Sequence, residues 1–178
     1  MPIFAALGAK CTVIDYSHRQ LASESLVAER EHYSIRLLRA DMTEPFPFED
    51  ASFDLIFHPG SNCYVENVRP IWDECARVLR KGGILLSGFD LVINYILDDR
   101  EERVINSLPF HPFQHPEHLR QLQEADCGIQ FSHTLEENIG GQLASGFLLT
   151  DLYEDTLREG RLSDMNIPAF MATRSVKL

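Results

Sequence analysis

The chain has 178 residues, 44% of them hydrophobic, with a formal net charge of −11 and 16 lysines and arginines. This composition excludes a disordered chain and permits one domain with a sizeable core, and the dispersed cations argue against nucleic acid as a partner. No apolar run approaches about 18 residues and the N-terminus lacks a signal-peptide pattern, so we expect a cytoplasmic protein without a membrane span.

Helices and strands alternate in the first part of the chain. Gly8 follows a short apolar segment, as expected where a helix ends. Ser17, with Gln20 three residues later, has the pattern of a capping box at the start of a helix. A proline-containing loop, residues 43–51, follows. The predicted elements are the end of a helix at 2–7, a strand at 10–14 closed by Asp15, a helix at 17–31 and a strand at 35–39 followed by Asp41 and Met42.

Residues 52–89 predict a strand, a helix and a second strand. Phe53–Phe57 is short and apolar, as in a buried strand. The next segment has apolar residues at spacings of three and four, which places them on one helical face. These residues are Val68, Ile71, Trp72, Cys75, Val78 and Leu79. We expect Asn67 to cap this helix, Arg77, Arg80 and Lys81 to occupy its last turn, and Gly82-Gly83 to end it. Two strands joined in this way form a right-handed parallel crossover.

The second half is less regular and ends in two strands. Residues 98–105 predict a short helix, and residues 116–128 predict another that begins at Pro116 and Glu117. An extended segment at 129–135 and a helix at 136–144 follow. Strands at 147–153 and 169–176 predict a C-terminal β-hairpin.

The FDLI strand and the RVLRKGG segment that ends the following helix resemble the middle of a class I S-adenosylmethionine-dependent methyltransferase of the small-molecule type. The resemblance implies an α/β, Rossmann-like sheet with a C-terminal antiparallel hairpin, formed by residues 1–178 as a single domain. It also implies methyl transfer from S-adenosylmethionine to a small-molecule acceptor. The family's first strand and its GxGxG turn are missing from the sequence, so we expect an N-terminally incomplete, truncated domain that binds the cofactor poorly.

The resemblance assigns cofactor contacts to residues at the strand ends. Asp15, next to Tyr16, is expected to accept the ribose hydroxyls, and Asp41 with Met42 is expected to contact adenine. The structural alternative is that both acids cap nearby backbone N–H groups. Asp15 alone would suit NAD equally well.

The loop after the FDLI strand is where the family places the reacting groups. His58 is a candidate catalytic base, or it acts with Pro59 by positioning backbone near the cofactor, or it is a purely structural histidine. Residues 90–118 are expected to cover the acceptor. The candidate substrate-binding residues are Asn62, Tyr64, Tyr95, Phe110 and His111. No metal site is predicted, because prolines interrupt the spacing of His111, His115 and His118.

Two other functions compete with an active methyltransferase. One is a non-catalytic, truncated remnant of the same fold. The other is an NAD(P)-linked oxidoreductase, which the C-terminal hairpin and the lack of a Tyr-x-x-x-Lys pair disfavour. The sequence carries no sign of the oligomeric state.

Overall fold

The computed structural model describes residues 2–178, and the chain divides into two compact units. The first unit ends at Phe48 and the second covers Glu49–Leu178. The prediction of a single domain stays a prediction.

The first unit is a two-stranded parallel sheet with helices. Its elements are α1 (Pro2–Ala6), β1 (Cys11–Asp15), α2 (His18–Arg30) and β2 (Ile35–Arg39). The register places Cys11 opposite Ile35 and Asp15 opposite Arg39. Gly8 has a φ of +86°, as required of the glycine that ends α1. Ser17 caps α2 by accepting a hydrogen bond from Gln20 N–H.

The second unit is a four-stranded mixed sheet in the order β3-β4-β6-β5. β3 and β4 are parallel, and β6 is antiparallel to both β4 and β5, which confirms the predicted C-terminal hairpin. Its elements are β3 (Phe53–Pro59), a 3₁₀ turn (Asn62–Tyr64), α3 (Arg69–Val78), β4 (Leu79–Asp90), α4 (Ile93–Ile96), α5 (Pro116–Ala125), a π-helical turn (Glu136–Gly140), α6 (Gly141–Ala144), β5 (Phe147–Asp155), α7 (Arg161–Asp164) and β6 (Phe170–Lys177).

The main core of the second unit lies under the predicted apolar face of α3. Ile71, Trp72, Cys75 and Val78 are all buried. Trp72 is fully buried, and its Nε1–H donates a 3.0 Å hydrogen bond to the carbonyl of Glu137 in the π-helical turn. That bond fixes the turn against α3.

The end of α3 differs from the sequence prediction. The helix stops at Val78, and residues 79–90 form β4, so Arg80 and Lys81 do not occupy a last helical turn. The pairing with β3 shifts between Phe53 and Leu55, because four residues of β4, 80–83, lie opposite the single Asp54 of β3. Gly82 has a φ of +75° there, which favours glycine.

The helix predicted at 98–105 is also wrong. Asp98 accepts hydrogen bonds from the N–H groups of Glu102 and Arg103, and Leu97 forms a β-bridge with Val104. An acid that binds nearby backbone N–H groups stabilises a turn in place of a helix. No helix within residues 2–178 is both long and apolar enough to cross a membrane.

Candidate active site

Asp15 closes β1 and is half-buried. Its Oδ1 accepts a 2.7 Å hydrogen bond from Ser17 N–H, the backbone donor that the Gln20 side chain would engage in a complete capping box. Within residues 2–178 no hydrogen bond engages Oδ2. One oxygen of the carboxylate is therefore held by backbone, and the other has no hydrogen-bond partner among the described residues. Tyr16 is exposed, and the Arg39 guanidinium lies 4.9 Å from its ring centroid.

Asp41 follows β2 and is held in the same way. Its Oδ1 accepts hydrogen bonds from Thr43 N–H at 2.9 Å and from the Thr43 hydroxyl at 2.7 Å. The bond from Thr43 N–H lowers the pKa of Asp41, so this carboxylate is ionised at neutral pH. Met42 is half-buried beside it. Both acids thus accept hydrogen bonds from nearby backbone N–H groups, as the structural alternative predicts. These contacts do not test whether either acid binds a ligand.

His58 belongs to a buried polar chain in the second unit. Its Nε2 lies 2.6 Å from Asn62 Oδ1, and Asn62 Nδ2 donates a 2.8 Å hydrogen bond to Asn138 Oδ1. Because Asn62 uses its amide as a donor to Asn138, its oxygen is the acceptor and His58 donates. The ring also contacts Trp72 edge to face, with centroids 5.8 Å apart. Burial lowers the pKa of His58, so the ring is neutral at pH 7.

A pocket of about 330 Å³ lies where β3 and β4 end and β6 begins. Its walls combine apolar side chains, backbone at two glycines, and two carboxylates. The lining residues are Pro59, Gly60, Gly88, Phe89, Asp90, Tyr153, Asp155, Phe170, Met171 and Ala172. We call this the outer pocket. Ligands of parallel α/β sheets lie at such carboxyl ends.

A second cavity, which we call the inner cavity, has a volume of only about 10 Å³. Phe89 and Asp90 line both this cavity and the outer pocket. The inner cavity has room for about one water molecule. Its other lining residues are Asn62, Cys63, Tyr95, Phe131, His133 and Asn138. Burial raises the pKa of Asp90, and it raises the pKa of Cys63 to about 12, so this thiol is not a nucleophile.

The predicted substrate-binding residues separate into two groups. Asn62 and Tyr95 line the inner cavity. Tyr64, Phe110 and His111 line neither the outer pocket nor the inner cavity. Phe110 is buried in a small core with Cys63, Tyr95 and Leu122, and Tyr64 is 55% exposed. His111 Nε2 lies 3.0 Å from Glu66 Oε1.

The three clustered histidines pack against aromatic rings. His118 is fully buried and stacks on Phe110 with centroids 4.1 Å apart. His111 N–H donates a 3.1 Å hydrogen bond to His118 Nδ1, which therefore carries no proton. In the part of the chain that the structure describes, no group of three histidine, cysteine or acidic side chains could hold a metal ion.

We expect His118 to make the fold sensitive to acid. Burial, followed by the nearby His115, lowers its pKa, although Glu117 opposes this effect. The neutral form is therefore favoured in the folded state, so stability is complete above the unfolded pKa of about 6.5 and falls as pH drops below it. Urea unfolding at pH 7.5 and pH 5.5 measures this loss.

Replacing His118 with asparagine tests whether this histidine causes the acid sensitivity. Oδ1 of asparagine can still accept the hydrogen bond from His111 N–H. His118→Asn should lose less stability between the two pH values than the native chain does. His18→Asn, at an exposed histidine, is the matched control. Equal acid sensitivity in all three proteins would contradict this assignment.

Sequence reasoning missed Asp90 as a site residue. The signal was present, because Asp90 closes the strand that follows RVLRKGG, and an acid at the carboxyl end of a parallel strand is a ligand candidate. What the sequence does not reveal is that residues of β5 and β6 complete a pocket around it.

The parallel pairs β1-β2 and β3-β4, with acids at their carboxyl ends, are typical of a Rossmann-like α/β fold. The family model described as a methyltransferase domain matches residues 1–87. "Uncharacterized methyltransferase YbaJ" of Bacillus subtilis (strain 168) is 40% identical over 184 residues, covering 99% of this chain and 71% of that protein. The chain therefore belongs to the class I S-adenosylmethionine-dependent methyltransferases.

Solved structures agree on the fold. An S-adenosylmethionine-dependent methyltransferase from Mesorhizobium loti superimposes with a TM-score of 0.69 at 17% identity, covering 94% of this chain and 80% of that one. Geranyl diphosphate methyltransferase in complex with SAM gives 0.62 at 13% identity, covering 96% and 70%. The predicted Rossmann-like α/β fold class, the enzyme class and the S-adenosylmethionine cofactor are confirmed, and the NAD(P) alternative is set aside. The truncation, the poor cofactor binding and the non-catalytic remnant stay predictions.

Proposed function

We propose that the protein transfers the methyl group of S-adenosylmethionine to a small-molecule acceptor bound in the outer pocket. The observation that carries the proposal is this pocket of about 330 Å³ at the carboxyl ends of β3 and β4. Its volume is within the range of small-ligand sites. A polymeric acceptor would need a wider groove, and a nucleic acid would also need concentrated cations, which a chain of net charge −11 does not offer.

Residues at the ends of β1 and β2 are proposed to contact the adenosine part of the cofactor. Asp15 has one carboxylate oxygen held by backbone and the other without a protein partner. The second oxygen can accept a hydrogen bond from a ribose hydroxyl. The ionised Asp41 suits the adenine amino group, and the half-buried, polarizable Met42 suits its ring. These residues therefore fit the chemistry of the group.

The second unit is proposed to orient the acceptor. Bound S-adenosylmethionine supplies an electrophilic methyl group on its sulfonium, so the protein's main task is alignment, and a catalytic base is optional. Pro59 and Gly60 line the outer pocket at the end of β3. The hydrogen bond between His58 and Asn62 holds the loop that contains them. The base role of His58 stays a prediction.

The carboxylate of Asp15 provides the test of cofactor binding. The missing GxGxG turn predicts a weak Kd, but at a hundredfold excess over that Kd S-adenosylmethionine or S-adenosylhomocysteine should still stabilise the chain by about 2.7 kcal/mol, whereas NAD at the same concentration should not. Asp15→Asn keeps the acceptor for Ser17 N–H but removes the charge. We expect a Kd about tenfold to a hundredfold weaker, because hydrogen bonds to charged groups contribute about 1.5–3 kcal/mol.

Thermal unfolding monitored at several ligand concentrations gives both Kd values. Glu44→Gln, at an exposed carboxylate of the loop after β2, is the matched control and should bind like the native chain. Equal protection by NAD, or unchanged affinity in Asp15→Asn, would refute the assignment.

A further inference from the structure

The outer pocket has an apolar body with an acidic rim. Phe89, Phe170, Met171 and Ala172 provide apolar surface, and Gly88 contributes bare backbone. Asp90 and Asp155 are its only charged lining residues among those that the structure describes, and the Tyr153 hydroxyl is its other polar side-chain group. A ligand that fills this pocket meets negative charge and hydrogen-bond acceptors, with no cation to pair with an anion.

Asp90 is the more enclosed of the two carboxylates. It is half-buried at the end of β4, whereas Asp155 is exposed. Asn94 Nδ2 donates a long 3.3 Å hydrogen bond to Asp90 Oδ1, and the same amide donates a shorter 2.8 Å bond to the carbonyl of Ala169. No lysine, arginine or histidine within residues 2–178 forms an ion pair with Asp90. A partly desolvated carboxylate with only weak neutral partners has an unmet preference for a cation.

The residues on the far side of Asp90 do not neutralise it. The Tyr95 and Cys63 side chains stand on the inner-cavity side, and both have their pKa raised by burial, so neither supplies a charge. The inner cavity holds about one water molecule, which leaves the outer pocket as the direction from which a counter-charge can arrive. The ligand itself is the remaining source of that charge.

We infer that the methyl acceptor is a small apolar molecule bearing a protonated amine, and that Asp90 selects it by pairing with the ammonium group. The apolar walls bind its hydrocarbon part, and Asp155 at the rim adds a weaker attraction because water screens it. The same charges disfavour phosphate- and carboxylate-bearing acceptors, since these would meet carboxylates without a cation. This inference rests on the proposed function for the location of the acceptor, but its test is a binding measurement.

Three probes of one shape separate charge from apolar contact. They are 4-phenylbutylamine, 4-phenylbutan-1-ol and 4-phenylbutyrate, titrated calorimetrically at pH 8 in the presence of S-adenosylhomocysteine. At this pH the amine is protonated, because its pKa is close to the 10.4 of a lysine side chain. We expect the amine to bind about tenfold to a hundredfold more tightly than the alcohol, and the carboxylate to bind most weakly.

Asp90→Asn should remove the preference for the amine over the alcohol, while leaving the affinity for S-adenosylhomocysteine within about twofold. Asp155→Asn should reduce the preference less. The matched control is Glu154→Gln, on the same strand as Asp155 but outside the pocket lining. It should leave the preference for the amine over the alcohol unchanged. Circular dichroism of each variant verifies that the fold is retained.

The outcomes separate the two proposals. Absence of S-adenosylhomocysteine binding by the native chain would count against the proposed function. Cofactor binding combined with equal affinity for amine and alcohol, or an amine preference that survives in Asp90→Asn, would overturn the inference about the acceptor while the proposed function stood.

Discussion

Replacing Gly141 with alanine is expected to lower the free energy of unfolding of the second unit by about 3 kcal/mol, the upper part of the range for overpacked cores. A Cβ atom at this position would lie 2.8 Å from Trp72 Nε1, closer still to Trp72 Cδ1, and 3.4 Å from Arg69 Cδ. The Trp72 side chain cannot move away from the added methyl group, because it is fully buried, donates a hydrogen bond to the Glu137 carbonyl and contacts the His58 ring.

Gly140 provides a matched control one residue earlier. Its added Cβ would meet only the Glu136 side chain, at 3.5 Å, and that side chain is exposed and flexible. Gly140→Ala should therefore be neutral or slightly stabilising, since alanine is the better helix former by about 1 kcal/mol. Chemical denaturation of both variants measures the difference, and equal destabilisation would mean that backbone effects, not Trp72, set the cost.

A double variant tests the contact directly. Trp72→Phe removes the indole nitrogen that the new methyl group would meet, so Gly141→Ala should cost at least about 1 kcal/mol less on that background. Additive losses would show that the methyl group and the indole do not clash. A smaller cost on the Trp72→Phe background would also explain why the second glycine of the predicted 136–144 helix, Gly141, lies where the segment packs on Trp72.

The fold was predictable wherever local pattern and tertiary packing agree. β2 has the predicted bounds, and the apolar face of α3 is buried as its spacing indicates. The prediction failed at residues 79–83, where the helix stops early, Leu79 pairs with Phe53 of β3, and residues 80–83 bulge out of the pairing. The Arg80 side chain forms an ion pair with Asp54 of β3, a contact between residues far apart in sequence that the local pattern does not reveal.

The candidate site was predictable only where it is local in sequence. Asp15 and Asp41 were found because each directly follows a strand, and the hydrogen bonds that orient them come from residues two positions later. The outer pocket joins residues 59–60 and 88–90 with Tyr153, Asp155 and residues 170–172, which β-sheet pairing brings together. No local pattern reveals such a pairing, so Asp90 was missed.

His58 provides the last prediction, since its neighbours identify what it can do. It donates from Nε2 to Asn62 and packs on Trp72, and it lines neither the outer pocket nor the inner cavity. His58→Ala should lower the free energy of unfolding by about 3 kcal/mol, because Asn62 Oδ1 loses its donor, at a cost of about 1–3 kcal/mol, and a cavity forms beside Trp72.

His58→Gln separates positioning from base catalysis. The glutamine amide can donate to Asn62 Oδ1 as the imidazole does, but it cannot accept a proton near neutral pH. If His58 positions the loop through Asn62 and Asn138, glutamine should restore most of the stability and keep kcat within about tenfold of the native value. A catalytic base would instead lose about 10²- to 10⁴-fold in kcat with either substitution. Rates measured for both variants with a common acceptor decide between the roles, and a loss that glutamine does not rescue would establish His58 as the base.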